Sequence, residues 1–150
     1  MIRLQQEPFD LGREYAALKR DHPGIGGLAV FVGTVRGQAG DLAIEAMTLE
    51  HYPEMTERAL AAIEAEAQAR WPLIACLVIH RFGRLVPGDD IVLVMTAAAH
   101  RQPALESCAF LIDWLKTKAP FWKLEETAGG GQWVAARGSD DQAAARWVAE

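Results

Sequence analysis

The chain has 150 residues, 51% of them hydrophobic, a formal net charge of −5 and two cysteines. That length and apolar content fit one domain, residues 1–150, with a sizeable core, and exclude a disordered or low-complexity protein. The acidic balance argues against a nucleic-acid binder, and the longest apolar runs, Leu73–Ile79 and Ile91–Ala99, fall far short of a membrane span. The opening Met-Ile-Arg-Leu-Gln-Gln-Glu-Pro lacks the apolar core of a signal peptide, so a cytoplasmic location is expected. A first helix is predicted over Asp10–Arg20 with Asp10 as its cap, broken by His22-Pro-Gly. Gly26–Arg36 reads as a strand, with Leu28, Val30 and Val32 on one face and Ala29, Phe31 and Gly33 on the other. Gly37-Gln-Ala-Gly-Asp reads as a flexible loop and Ala43–Tyr52 as a second strand. Pro53 opens a helix that runs to Arg70, its buried side marked by Leu60, Ile63 and Ala67, and Pro72 ends it. Leu73–Arg81 and Asp90–Ala99 are apolar strands joined through Gly83 and the turn Pro87-Gly-Asp-Asp. Pro103–Lys118 is an amphipathic helix. Phe121–Thr127 and Gln132–Ala136 form a strand pair across Gly129-Gly-Gly, and Ser139 caps a last helix, Gln142–Val148. Strands and helices mix without strict alternation, which indicates an α+β two-layer domain.

The helix ending at Lys118 holds the most telling feature. Its apolar positions, Leu105, Cys108, Ala109, Ile112 and Leu115, recur by three and four. Lys116 follows Ile112 by one turn and falls inside that stripe, whereas Lys118 falls on the other side. An ammonium placed there needs an anionic partner, must lose its proton, or must sit at the lip of a cavity. Pro120 stops the helix, and Lys123 follows two aromatic residues later, so a rigid turn holds two lysines. Phe110 and Trp114 lie away from the stripe, consistent either with ordinary burial or with a subunit interface.

The remaining polar motifs are weaker. His100-Arg101, between a strand end and a helix start, fits an anion site or a plain surface connection. Gly33-Thr-Val-Arg36-Gly places an arginine beside a glycine-rich loop, and Gly24-Ile-Gly-Gly precedes a strand, so it fails the dinucleotide fingerprint. In Glu50-His51 the two side chains point to opposite faces of a strand, which favours a structural role at the corner. Cys76 and Cys108 read as core residues, and neither they nor the four histidines show metal-ligand spacing. His100, Arg101, Lys116, Lys118, Lys123 and Arg137 form a local excess of cations suited to a small anion. No activated serine or cysteine accompanies them, so an enzyme of this kind would bind an anion and let another molecule bring the reactive group.

Taken together, Phe31-Val-Gly-Thr-Val-Arg-Gly, Leu49-Glu-His-Tyr-Pro-Glu-Met-Thr, Val78-Ile-His-Arg-Phe-Gly-Arg-Leu-Val-Pro-Gly-Asp, Ala99-His-Arg and Leu115-Lys-Thr-Lys-Ala-Pro-Phe-Trp-Lys resemble the large, catalytic subunit of molybdopterin synthase, from about residue 5 to Trp147. The resemblance implies an α/β hammerhead fold with an added small β subdomain. It implies a sulfurtransferase that converts cyclic pyranopterin monophosphate (precursor Z) into the dithiolene of molybdopterin, for molybdenum cofactor biosynthesis. The sulfur would come from a small ubiquitin-like subunit with a C-terminal Gly-Gly thiocarboxylate, whose tail enters a pocket of the large subunit. Two large subunits would form a central homodimer with a small subunit at each end, a heterotetramer. No cofactor or metal is implied. Carried onto this chain, the resemblance makes Lys116 the catalytic lysine beside the tail, Lys123 the second essential lysine, and Arg36 an arginine lining the same pocket. His100, Arg101 and Arg137 would bind the pterin phosphate, reaching the pocket from the neighbouring protomer. Pro103, where relatives often carry a small residue, and the loose Gly129-Gly-Gly are departures of little expected consequence. Two other readings remain: an interaction module that keeps a groove for a Gly-Gly tail without turnover, and a phosphate-ester enzyme that needs no sulfur donor.

Overall fold

The computed structural model describes residues 1–134 and 138–148. The elements in chain order are β1 (Ile2–Gln5), α1 (Leu11–Arg20), β2 (Gly27–Thr34), β3 (Gln38–Ala39), β4 (Leu42–Ala43), β5 (Ala46–His51), α2 (Pro53–Arg70), β6 (Leu73–Arg81), β7 (Gly83–Leu85), β8 (Asp90–Ala98), α3 (Arg101–Lys118), β9 (Phe121–Thr127), β10 (Gly130–Val134) and α4 (Gly138–Ala145). Two four-stranded sheets organise them, in the orders β1-β6-β8-β2 and β10-β9-β5-β7, while β3 and β4 pair only with each other.

The first sheet is built around β6 and β8, an antiparallel pair of nine-residue strands whose apolar runs bury both faces. On one face Val78, Val94 and Ala98 pack against Leu60, Ile63 and Ala67 of α2 and Ala104, Cys108 and Leu111 of α3. On the other, Leu77, Ile79, Leu93 and Met95 lie beneath Phe9 and Leu18, which α1 brings over the sheet. Asp10 caps α1 as expected, its side chain accepting from the Arg13 N–H at 2.9 Å. The second sheet is wholly antiparallel and smaller. Its core is Val35, Met47, Leu49 and Leu85, closed by Phe82 and Ile91. The α+β character is therefore as the sequence indicates, with the second sheet as the added β unit.

Several elements differ in detail from the sequence reading. The strand β1 has no local signature, because it is four residues long and pairs in parallel with β6, far along the chain. The loop after Gly37 carries half of the β3–β4 hairpin, turned through Gly40 at φ 63°. Helix α3 starts at Arg101, so Pro103 lies inside its first turn, where a missing N–H leaves no helical bond unmade. Helix α4 starts at Gly138, which puts Ser139 within the helix and not before it. Residues 135 and 136, the expected end of the last strand, lie outside the described residues.

The α3 stripe is rotated from the predicted one. Its buried residues are Ala104, Ser107, Cys108, Phe110 and Leu111, while Leu105 is 60% exposed. Phe110 and Trp114 face a local aromatic cluster: Phe110 is fully buried, with ring centroids 5.3 Å from Trp71, 4.5 Å from Trp114 and 5.7 Å from Trp147. Phe110 is thus buried within this chain, covered by Trp71 and Trp147, while Trp114 is half-buried. The Asp113 carboxylate holds that cover in place, accepting from Trp147 Nε1 at 2.7 Å and Arg146 Nη2 at 2.9 Å.

Candidate active site

The chemistry-bearing residues gather where the second sheet meets the first. Along β9 the period of two puts Phe121, Lys123 and Glu125 on one face and Trp122, Leu124 and Glu126 on the other. The register sets Phe121 opposite His51, Lys123 opposite Leu49 and Glu125 opposite Met47. Leu49 and Met47 are buried in the small core, so Lys123 is a half-buried cation on the core-facing side of its sheet. Glu50 is exposed and His51 half-buried, on opposite faces as the sequence reading expects.

Behind Lys123 lies His80, near the end of β6. Its ring stacks flat on Phe121, with centroids 3.9 Å apart and an interplanar angle of 14°. Its Nδ1 lies 2.8 Å from the Arg81 carbonyl. A carbonyl can only accept, so Nδ1 carries the proton. Burial pushes the pKa of His80 down to about 4, against the Arg81 hydrogen bond, and the positive charges of Lys123 and Lys116 together with His51 push the same way. His80 is therefore neutral, and both lysines lie within electrostatic reach of it. Arg81 is buried and fixed in turn, donating from Nε and Nη2 to the Gln6 carbonyl at 3.0 and 2.9 Å and from Nη1 to the Asp90 carbonyl at 2.8 Å. The His51 ring completes the cluster, 4.5 Å from Phe82 and 5.6 Å from Phe121, with its Nδ1 buried and unpartnered.

Lys116 enters this cluster by a route the helical spacing misjudges. At about 100° per residue it stands roughly 150° from the middle of the true buried stripe, and it is exposed. Lys118 instead continues that stripe beyond the end of the core and covers the Trp114 ring at 4.7 Å. The core-facing cation is therefore Lys123, and Lys116 approaches from the last turn of α3. Ala119 leaves the helix with φ −80° and ψ 133°, and Phe121 donates its N–H to the Ala119 carbonyl at 2.9 Å. That turn swings the chain from α3 into β9 and lets two lysines seven positions apart share one histidine.

The other cations lie elsewhere. Arg36 follows β2, is exposed, and lines an open hollow of about 670 Å³ with Gly37, Gln38 and Gly40. His100 and Arg101 sit at the start of α3, both exposed, with His100 in the N-cap position and no side-chain cap bond. Backbone packing fixes that helix start: a Cβ on Gly26 would stand 2.0 Å from the Ala99 carbonyl oxygen, and one on Gly27 would stand 3.2 Å from the Arg101 Cα. At about 1.5 Å rise per residue, Arg101 is roughly 22 Å from Lys116 along the same helix. One chain therefore does not bring the His100-Arg101 pair to its own two lysines. Arg137 lies outside the described residues.

Both cysteines are buried, as the sequence reading expects. Burial pushes the Cys76 thiol up to about 12 and the Cys108 thiol up to about 11, so neither is a thiolate near neutrality. Among the described residues no group of three or more His, Cys, Asp or Glu side chains is placed to hold a metal ion, and no helix is long and apolar enough to cross a membrane. Sequence reasoning passed over His80 and His51 as site residues. The available signal was a histidine at the end of a nearly unbroken apolar strand, where a polar ring needs a built environment.

Comparison with known proteins places the chain in a family. The MoaE protein family matches residues 4–118. The molybdopterin synthase catalytic subunit of Ralstonia nicotianae is 53% identical over 146 residues, covering 97% of this chain and 83% of that protein. That of Pseudomonas aeruginosa is also 53% identical over 146 residues, covering 97% of each. Among solved structures, the molybdopterin biosynthesis MoaE protein from Burkholderia ambifaria superposes with a TM-score of 0.85 at 55% identity, over 100% of this chain and 99% of that one. The chain belongs to the MoaE protein family, that of the molybdopterin synthase catalytic subunits.

Proposed function

We propose that this chain, acting as a single domain over residues 1–150 in the cytoplasm, transfers sulfur from the C-terminal thiocarboxylate of a small ubiquitin-like subunit to cyclic pyranopterin monophosphate, building the molybdopterin dithiolene. The observation that supports this most is that the charges of Lys123 and Lys116 bear together on one neutral histidine, while burial keeps both cysteine thiols protonated. Two cations can hold the thiocarboxylate and the charge that develops as its sulfur attacks, while the nucleophile arrives on the partner. Lys116 orients the thiocarboxylate and assists proton transfer. Lys123 stabilises developing charge or helps open the cyclic phosphate, and Arg36, from its own hollow beside Gly37 and Gln38, adds a further cation for the anionic substrate. His100, Arg101 and Arg137 bind the pterin phosphate. The long separation of the α3 start from Lys116 supports delivery of His100 and Arg101 by the second protomer of a homodimer, with one small subunit at each end.

The test is Lys116→Ala, assayed with the thiocarboxylated small subunit and precursor. A lost preorganised donor slows such a step by roughly 100-fold or more. Dithiolene formation at the normal rate would remove Lys116 from the site.

A further inference from the structure

We infer that His80 is a positioning residue for the sulfur-transfer reaction: its ring, stacked on Phe121, fixes the turn between α3 and β9 and so sets Lys116 and Lys123 in their working places. The inference rests on the function proposed above. Phe121 is the first residue of β9, two before Lys123 on the same face and five after Lys116. Whatever holds Phe121 therefore holds both lysines at once. The stack does so at 3.9 Å and 14°, and Phe121 is further tied by the Ala119 carbonyl on one side and the His51 register on the other. On its other side the ring is anchored to the first sheet. The Arg81 carbonyl fixes the His80 ring through Nδ1, and Arg81 is itself bound to Gln6 and Asp90, at the ends of two neighbouring strands. The path runs from the rigid first sheet, through one imidazole, to the segment that carries the lysines.

The choice of histidine follows from its surroundings. Among the described residues, Lys123 of β9, His51 of β5 and Lys116 of α3 are the groups whose charge bears on it. A permanent cation there would repel both lysines, and an anion would pair with them and blunt them toward substrate. A flat ring that stacks, donates once and stays neutral avoids both.

The experiment compares His80→Phe, His80→Leu and His80→Ala with wild type and Lys116→Ala, each as the full chain saturated with the thiocarboxylated small subunit. Thermal melts establish which variants are folded at the assay temperature. His80→Phe keeps a ring to stack but loses the bond to the Arg81 carbonyl, so it is expected to fall below wild type in kcat while staying well above His80→Leu and His80→Ala. His80→Leu fills the volume without stacking, and His80→Ala leaves a gap. Both are expected to lose roughly 10- to 100-fold in kcat, the scale on which about 1 Å of misplacement acts, while KM for the phosphorylated pterin stays within about twofold of wild type. Full activity in His80→Leu would overturn the inference, because volume alone would suffice. An equal loss in folded His80→Phe and His80→Ala would overturn it too, because His80 would then be moving a proton. An active Lys116→Ala would instead strike at the proposed function itself.

Discussion

Acidification offers a direct measure of the neutral His80. Its pKa falls from an ordinary 6.5 to about 4 in the folded protein, first through burial and then through Lys123, His51 and Lys116. A lowered histidine pKa means that the unfolded chain binds the proton more readily. The stability that this group contributes is thus complete above pH 6.5 and is lost as pH falls toward 4, where both states are protonated. At about 1.36 kcal/mol per pKa unit the whole loss is about 3 kcal/mol, a large share of an ordinary domain's stability. Urea unfolding of wild type and His80→Phe, followed by tryptophan fluorescence at pH 7.5, 6, 5 and 4.5, isolates this term, because every other titrating group is common to both. The wild type should weaken relative to the variant as pH falls, by most of that 3 kcal/mol at the lowest pH. A difference between the two that stays constant within about 0.5 kcal/mol across the series would show that His80 titrates normally, and its burial as a neutral ring would be refuted.

Other outcomes follow from particular contacts. Gly26→Ala would drive a methyl into the Ala99 carbonyl, so it should lower stability by about 1–3 kcal/mol and raise KM for the phosphorylated substrate more than it lowers kcat, since Ala99 immediately precedes His100-Arg101; both are read from melts and steady-state kinetics. Phe110→Ala empties the centre of the aromatic cluster and should cost about 3–5 kcal/mol in urea unfolding, with the m-value unchanged. Cys76 and Cys108 should resist thiol reagents until the protein unfolds, and Cys76→Ala with Cys108→Ala should keep the sulfur-transfer rate within about twofold, because burial keeps both thiols protonated. Lys123→Gln should slow dithiolene formation by roughly 100-fold, read as the rate of product formation with the thiocarboxylated small subunit, because it removes the cation that β9 turns toward the His80 cluster.

Local signals were legible wherever the physics is local. The Asp10 cap, Pro53 at the head of α2, the apolar runs of β6 and β8, the hairpin around Gly129-Gly-Gly and the burial of both cysteines follow from spacing, turn chemistry and hydrophobicity, each acting within a few residues. The residues Lys116, Lys123, His100 and Arg101 were likewise visible as part of an excess of cations without a nucleophile, and Arg36 as an arginine beside a glycine-rich loop. What tertiary structure decided was which way they face and what they meet. The α3 stripe turned by about one residue because Phe110 is claimed by Trp71 and Trp147, and that turn moved Lys116 off the buried side and Lys118 onto Trp114. Lys123 became the inward cation because β9 pairs with β5 in a register that sets it opposite Leu49. His80 became the centre because β6, from the other sheet, brings its ring under Phe121. A helix or a turn is written into neighbouring residues, but the company a side chain keeps depends on strands far apart in the chain, and only the packed sheets supply that.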